Sequence, residues 1–215
     1  MGGRVLTLIT LGVAVGCAAG GEGATPGELG RGLVAYYSFD KDASDGSGKG
    51  HDGTNHGAKA VAEGRFGGAF EFDGKSSYVA VPVAATEGLL WATFALWVRT
   101  TQAEAKPRSQ FYANPALFGV ATNGWGSRDF ALMLEKGCPG HFHGLFAENV
   151  DYSWFSAESA SDDKWHHLAW VDEGPYVRVY LDGRLLRGEV TLHSGNGATE
   201  LGPRTHTPAG LRLGS

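Results

Sequence analysis

Three carboxylates at close spacing are the first residues of the chain whose types suggest a binding site. Asp40, Asp42 and Asp45 follow an Asp-x-Asp-x-x-Asp pattern at the start of a polar, glycine-rich stretch, residues 40–57. Carboxylate and carbonyl oxygens at such spacing suit a hard cation, so we predict a calcium site with Asp40 and Asp45 as its ligands. The alternative is a cluster of solvated turns, because Asp and Gly favour turns without any metal.

An aromatic residue between two glycines is the second such feature. Asn123-Gly124-Trp125-Gly126 lies in residues 101–129, a segment that lacks the rhythm of short strands and turns. An exposed Trp can stack on the apolar face of a sugar ring while nearby amides bind its hydroxyls, so Asn123 and Trp125 are candidate ligand-binding residues. The alternative is a Trp that folds back over the edge of a sheet.

Cys138, His141 and His143 form a third set, in which the two imidazoles alternate with Phe142. In a strand, His141 and His143 lie on the same side, where zinc or copper could bind them together with a thiolate. No fourth ligand is evident, and two solvent-facing histidines opposite an inward Phe142 fit the alternation better. We therefore group His141 and His143 with the candidate ligand-binding residues and interpret Cys138 as a partly buried thiol.

The elements that must position these residues are predicted to be short antiparallel strands. Residues 93–100 alternate between apolar and mixed faces, and so do residues 176–181. Asp182-Gly183 then predicts a two-residue hairpin with positive φ at both centres, and a second hairpin is predicted around Asp73-Gly74. The pattern predicts an all-β fold, a two-sheet antiparallel β-sandwich. Three tryptophans are interpreted as packing residues rather than a ligand platform: Trp97, Trp165 and Trp170.

Four segments, in order along the chain, resemble laminin G-like, concanavalin A-like jelly-roll domains. They are residues 33–40, 70–79, 93–99 and 164–186. The resemblance implies one jelly-roll domain over residues 33–215. It also implies a closing strand beside the opening one, and none is recognisable after Leu211-Arg212-Leu213-Gly214-Ser215. We therefore expect the domain to be C-terminally incomplete, with an unpaired edge along the opening strand.

The sequence lacks the patterns of the common hydrolytic sites. The resemblance implies that a glycoside hydrolase of this fold would carry Glu-x-Asp-x-x-Glu, which does not occur, since Glu71-Phe72-Asp73 has no third carboxylate. Gly-x-Ser-x-Gly, His-Glu-x-x-His and phosphate-loop patterns are also absent. We predict that the chain is not an enzyme.

Composition places the chain among globular proteins and argues against one class of partner. Of its 215 residues, 42% are hydrophobic and 19% are charged, which is typical of a chain with a packed core. The net charge of −5 disfavours a nucleic-acid partner, which would require a basic surface.

Residues 1–17 have the pattern of a secretory signal. Arg4 precedes an apolar run, residues 5–15, that is too short to span a bilayer and is followed by small residues. Ala14-Val15-Gly16-Cys17 also resembles a bacterial lipobox, which implies lipidation at Cys17; an ordinary signal with a chance Cys is the alternative. Residues 18–32 are predicted to be a flexible tether. We expect an exported protein, either a cell envelope lipoprotein or a secreted protein.

These features together predict a non-catalytic binding module for carbohydrate or for an extracellular protein, with calcium as its candidate cofactor. A lipid anchor would be its only contact with a membrane. Two alternatives remain. One is a structural or adhesive envelope domain without a soluble ligand, and the other is a glycoside hydrolase with an atypical site.

Export gives the first testable prediction. Globomycin, which blocks processing of lipoprotein signals, is expected to leave an unprocessed precursor, and Cys17→Ser is expected to abolish membrane association of the protein. Both are measured by fractionation and immunoblotting. A Cys17→Ser protein that is processed and localised like the parent would rule out the lipid anchor and leave plain secretion.

Overall fold

The computed structural model describes residues 7–14, 32–87, 92–103, 115–120, 130–145, 150–173, 176–192 and 212–213. Sixteen strands and one 3₁₀ turn, Val83–Ala85, make up the regular structure of these residues. The strands are β1 (Thr7–Ala14), β2 (Leu33–Tyr37), β3 (Thr54–His56), β4 (Lys59–Val61), β5 (Ala69–Phe72), β6 (Tyr78–Ala80), β7 (Ala92–Arg99), β8 (Ala116–Val120), β9 (Phe130–Glu135), β10 (Cys138–Leu145), β11 (Val150–Ser156), β12 (His166–Glu173), β13 (Tyr176–Leu181), β14 (Arg184–Leu185), β15 (Gly188–Leu192) and β16 (Arg212–Leu213).

The strands form two eight-stranded sheets. Sheet 1 has the order β14-β13-β12-β7-β1-β5-β4, with β2 also paired to β1, and sheet 2 has the order β15-β11-β10-β9-β8-β16-β6-β3. Every strand pair in the described residues is antiparallel. The predicted all-β antiparallel sandwich is confirmed. No helix among the described residues is long and apolar enough to cross a bilayer.

Large aromatic side chains join the two sheets. Phe94 of β7 stacks on Phe118 of β8 with 4.8 Å between ring centroids, and Trp170 of β12 stacks on Phe130 of β9 at 5.1 Å. All four are buried at 2% exposure or less. The predicted alternation of β7 is confirmed, because every second residue from Ala92 onward is buried and the residues between are half-buried.

The Asp182-Gly183 hairpin is confirmed, and the Asp73-Gly74 hairpin is wrong. Asp182 and Gly183 have φ of 50° and 78°, and they connect β13 to its antiparallel partner β14. The segment at Asp73-Gly74 instead crosses between sheets, because β5 pairs with β4 and β1 in sheet 1 whereas β6 pairs with β3 and β16 in sheet 2. Asp73 Oδ1 accepts hydrogen bonds from the backbone N–H groups of Lys75, Ser76 and Ser77, all at 2.9 Å. The sequence therefore indicates a turn at Asp73-Gly74 correctly, but this turn connects the two sheets and not two strands of one sheet.

The N-terminal apolar run lies inside the fold. Strand β1, Thr7–Ala14, pairs with β7 on one side and with β2 and β5 on the other. The expectation places residues 1–17 outside the domain, whereas residues 7–14 form a strand of sheet 1, and the domain boundaries stay a prediction. Among the described residues β2 pairs with β1 alone, so the expectation of an unpaired edge along the opening strand also stays a prediction. Hydrophobicity alone does not distinguish a signal from a buried strand. Signal processing and the tether, residues 18–32, stay predictions.

The aromatic contacts between sheets give a stability prediction. Trp170→Ala is expected to lower the free energy of unfolding by about 3–5 kcal/mol, because it leaves a cavity against Phe94, Phe118 and Phe130. Urea unfolding followed by circular dichroism measures this loss. Trp165→Ala is the matched control, because Trp165 is half-buried immediately before β12 and its replacement should lower the free energy of unfolding much less. Equal losses in the two variants would contradict a core centred on Trp170.

Candidate functional site

The loop after β2 is organised by the carboxylate of Asp45. Its Oδ1 accepts hydrogen bonds from the backbone N–H groups of Tyr36 at 2.9 Å and Ser47 at 2.8 Å. Its Oδ2 accepts from the Ser47 hydroxyl at 2.7 Å and from the His51 N–H at 3.0 Å. Partial burial would raise the pKa of Asp45, but these hydrogen bonds outweigh it and lower the pKa to about 2. Both oxygens are thus already used in shaping the loop.

Asp40 has a different partner. Its Oδ1 accepts a hydrogen bond from the Gly68 N–H at 2.7 Å. Gly67, which precedes Gly68, has φ of 86°. A Cβ on Gly67 would lie 2.4 Å from Asp40 Oδ1, so only glycine fits this turn. Asp40 therefore fixes the turn that follows Arg65 and Phe66.

These contacts do not bring Asp40 and Asp45 into one metal site. Each carboxylate accepts hydrogen bonds from backbone N–H groups, which compete with a cation for the same lone pairs. Within the ranges that the structure describes, no group of three or more His, Cys, Asp or Glu side chains could hold a metal ion. The residues present do not fit a calcium site well, and calcium binding at Asp40 and Asp45 stays a prediction.

An aromatic surface lies on the outer face of sheet 1, defined here by Arg65, Phe66, Trp97 and His167. Phe66 is 61% exposed and meets the Trp97 ring edge-on, with 5.6 Å between centroids. The Arg65 guanidinium lies over both rings, 4.7 Å from the Phe66 centroid and 4.8 Å from that of Trp97. The His167 ring packs on Trp97 at 5.3 Å. The surface thus combines exposed aromatic area with hydrogen-bond donors.

The strands explain why this surface points outward. Trp97 lies between the core residues Leu96 and Val98 on β7, so alternation places it on the opposite face. His167 is its register partner on β12. Sequence reasoning interpreted Trp97 as a packing residue and missed Phe66. The signal that could have found Phe66 is a large apolar residue between Arg65 and Gly67, outside any alternating strand.

The other predicted ligand residues cannot be placed in this surface. Asn123, Trp125 and Cys17 lie outside the described residues, and so do the side chains of His141 and His143. The backbone of the two histidines runs in β10, at alternate positions on one side, as predicted. Cys138 is a half-buried free thiol, as interpreted from the sequence, and burial raises its pKa.

A polar cluster at one end of β12 surrounds His166. Its Nδ1 lies 2.7 Å from Asp182 Oδ2 and its Nε2 lies 3.0 Å from Asp162 Oδ1. Asp182 Oδ1 also accepts a hydrogen bond from the His167 N–H at 2.8 Å, which ties the hairpin turn to β12. Burial would lower the pKa of His166, but the hydrogen bonds and charges of the two carboxylates outweigh it, so the pKa is raised. His166 thus connects Asp162 to Asp182 and stabilises this end of β12; we call these three residues the His166 clamp.

Comparison with known proteins agrees with this architecture. The sequence profile of the Concanavalin A-like lectin/glucanases superfamily matches residues 73–205. The chain belongs to this superfamily. Its fold is shared with domain 4 of AbnA, a GH43 extracellular arabinanase from Geobacillus stearothermophilus, solved in complex with arabinotriose. The two are 19% identical, the TM-score is 0.57, and the match covers 84% of this chain and 82% of the other. No curated protein matches the chain.

The His166 clamp predicts a pH dependence of stability. The pKa of His166 is raised in the folded protein from its ordinary value near 6.5, so its stabilising effect is complete below about pH 6.5 and is lost as the pH rises through the folded pKa. His166→Gln should therefore reduce the free energy of unfolding more at pH 5.5 than at pH 9. Urea unfolding at the two pH values tests this.

His167→Gln is the control for this clamp, since the pKa shift of His167 has the opposite sign. Burial lowers the pKa of His167, so its contribution is present above about pH 6.5 and is lost as the pH falls. The two variants should therefore show opposite trends with pH. The same trend in both would contradict the clamp.

Proposed function

We propose that this superfamily member is a non-catalytic carbohydrate-binding module whose ligand lies on the aromatic surface of sheet 1. The observation that carries this proposal is the exposure of Phe66 beside Trp97. Phe66 is 61% exposed, so most of its apolar area stays in contact with water and does not contribute to packing of the core. Its position next to a second aromatic ring provides a platform for the apolar face of a sugar.

The polar members of the surface suit the same ligand. The Arg65 guanidinium lies over Phe66 and Trp97 and Arg65 is exposed, so its N–H groups are available to donate hydrogen bonds to sugar hydroxyls beside the two rings. His167 adds a second polar edge beside Trp97. Aromatic area with a few oriented donors is the usual composition of a small-molecule site.

The superfamily and its structural relative support carbohydrate as the class of ligand. The family includes lectins by name, and the related arabinanase domain is described in complex with arabinotriose. The family name also includes glucanases, so the non-catalytic role rests on the absence of Glu-x-Asp-x-x-Glu from the sequence. Export, by lipidation at Cys17 or by secretion, would place the module where such polysaccharides occur.

The alternative ligand is an extracellular protein surface. The alternative function is that of a structural envelope domain without a ligand. The exposed area of Phe66 alone does not distinguish a sugar from a protein contact. The small extent of the surface and its mixed cationic and aromatic character favour a sugar, because stable protein interfaces need about 800 Å² from each partner.

A binding experiment tests the proposal. The full chain is applied to a glycan array that includes arabinotriose, with and without a chelator, and the affinity for any positive glycan is measured by calorimetry. Phe66→Ala and Trp97→Ala are each expected to weaken binding at least about tenfold, as hot-spot residues do. Unchanged binding in the presence of chelator would separate the aromatic surface from the predicted calcium site.

Leu185→Ala is the matched control. Leu185 is 50% exposed on β14 and has no part in the aromatic surface, so its removal tests for non-specific loss of apolar area. Binding that survives in Phe66→Ala and Trp97→Ala would place the ligand elsewhere, with Asn123 and Trp125 as the next candidates. Absence of binding to any glycan would favour the structural envelope domain.

A further inference from the structure

Arg65, the cationic member of the aromatic surface, is held in a closed loop. The Gly64 N–H donates a hydrogen bond to the Gly67 carbonyl at 2.8 Å, across the two residues between them. The Gly68 N–H donates to Asp40 Oδ1 at 2.7 Å and ties the end of the loop to the chain after β2. The backbone on both sides of Arg65 is therefore fixed, and the guanidinium starts from a defined position.

The charge of Arg65 is not neutralised by a neighbouring carboxylate. Arg99 lies 3.7 Å from Asp163, and Arg184 donates a hydrogen bond to Glu158 at 2.7 Å. Arg65, by contrast, forms no ion pair with any residue that the structure describes. Its guanidinium lies over the two rings of the surface, which restrain it without cancelling its charge. An oriented and exposed cation thus remains available to a ligand.

Hydrogen-bond donors outnumber acceptors on the aromatic surface. The guanidinium of Arg65 has five N–H donors and no acceptor, and the indole of Trp97 has one donor. Burial lowers the pKa of His167, so its ring is neutral near pH 7 and offers one donor and one acceptor. None of the four residues that define the surface carries a carboxylate or an amide. The hydroxyls of a neutral sugar donate as well as accept, whereas an ionised carboxylate only accepts, so the surface matches an anionic group better.

Two carboxylates lie beside residues of this surface, and both are engaged in the fold. Asp40 accepts the hydrogen bond from the Gly68 N–H. Asp182 accepts from the His167 N–H at 2.8 Å, and its other oxygen lies 2.7 Å from His166 Nδ1. Neither carboxylate forms an ion pair with Arg65, so the guanidinium keeps its capacity to bind an anion.

We propose that the ligand of the aromatic surface is an acidic sugar, a uronic acid unit of a polysaccharide, whose carboxylate binds Arg65. The apolar face of the sugar ring stacks on Phe66, which stays 61% exposed with Arg65 in place. The carboxylate at the edge of the sugar ring then reaches the guanidinium beside it. A planar carboxylate matches the planar guanidinium with two parallel hydrogen bonds. This inference rests on the proposed function and specifies its class of sugar.

The test compares sugars that differ only in the carboxylate. The full chain is titrated by calorimetry with trisaccharides of galacturonate, glucuronate and mannuronate, each beside its carboxyl-reduced counterpart, in which a hydroxymethyl group replaces the carboxylate. At least one uronate is expected to bind at least about tenfold more tightly than its counterpart. Arg65→Gln should remove this preference. Arg65→Lys should keep part of it, because an ammonium group keeps the charge but lacks the planar fork. Equal affinities in the parent protein, or a preference that survives in Arg65→Gln, overturn the inference.

Arg212→Gln is the matched control. Arg212 also lies over an aromatic ring, 4.6 Å from the centroid of Tyr78, but it belongs to sheet 2. Its replacement removes the same charge and should leave the preference for the uronate unchanged. An equal loss in Arg212→Gln would mean that only the net charge matters, and would overturn a specific role of Arg65.

Salt dependence supplies a measurement on the unmodified protein. Raising the salt concentration from about 50 mM to about 500 mM should weaken binding of the uronate more than binding of its reduced counterpart, because salt screens an exposed ion pair. An equal effect on both sugars contradicts an ionic contact.

The outcomes separate this inference from the proposed function. A neutral glycan that binds through Phe66 and Trp97, when no uronate binds better than its reduced counterpart, overturns the acidic sugar and leaves the carbohydrate-binding module standing. Absence of binding to any glycan, charged or neutral, contradicts the proposed function itself.

Discussion

The structure depends on the contact between Phe94 and Trp170 from sheet 1 and Phe118 and Phe130 from sheet 2. These rings lie 4.8–5.7 Å apart and are almost fully buried, so they determine the separation of the sheets. An aromatic core needs strands that present large residues on one face only. Strand β7 meets this requirement, because its buried residues alternate with half-buried ones.

The same alternation creates the candidate site. Because Phe94, Leu96 and Val98 face the core, Trp97 must face outward, and the neighbouring strand β12 places His167 beside it. The remaining two members, Arg65 and Phe66, come from a loop, and Asp40 fixes the turn after Phe66 by accepting a hydrogen bond from the Gly68 N–H. The alternation that packs the core thus also places Trp97 and His167 on the outer face, and the loop adds the exposed ring of Phe66 beside them.

Local signals could be predicted from the sequence, and pairings between distant segments could not. Asp182-Gly183 forms its hairpin because the turn and both strands lie within a few residues of one another. Asp73-Gly74 has an equally clear turn signal, yet which sheet β6 joins is decided by β3 and β16, far away in the chain. Likewise, the spacing of Asp40 and Asp45 indicated oxygen ligands, but their N–H partners at Gly68 and Tyr36 could not be inferred from spacing.

The N-terminal run shows why one sequence pattern can predict two roles. A signal is recognised by the length and hydrophobicity of its apolar run, whereas a strand is recognised by which positions are apolar. Residues 7–14 satisfy both criteria, because Ile9, Leu11 and Val13 alternate within a run that also contains Leu8 and Ala14. A segment cannot pair with β7 and be removed with the signal at the same time. The proposed export signal and the completion of sheet 1 by β1 therefore require the same eight residues.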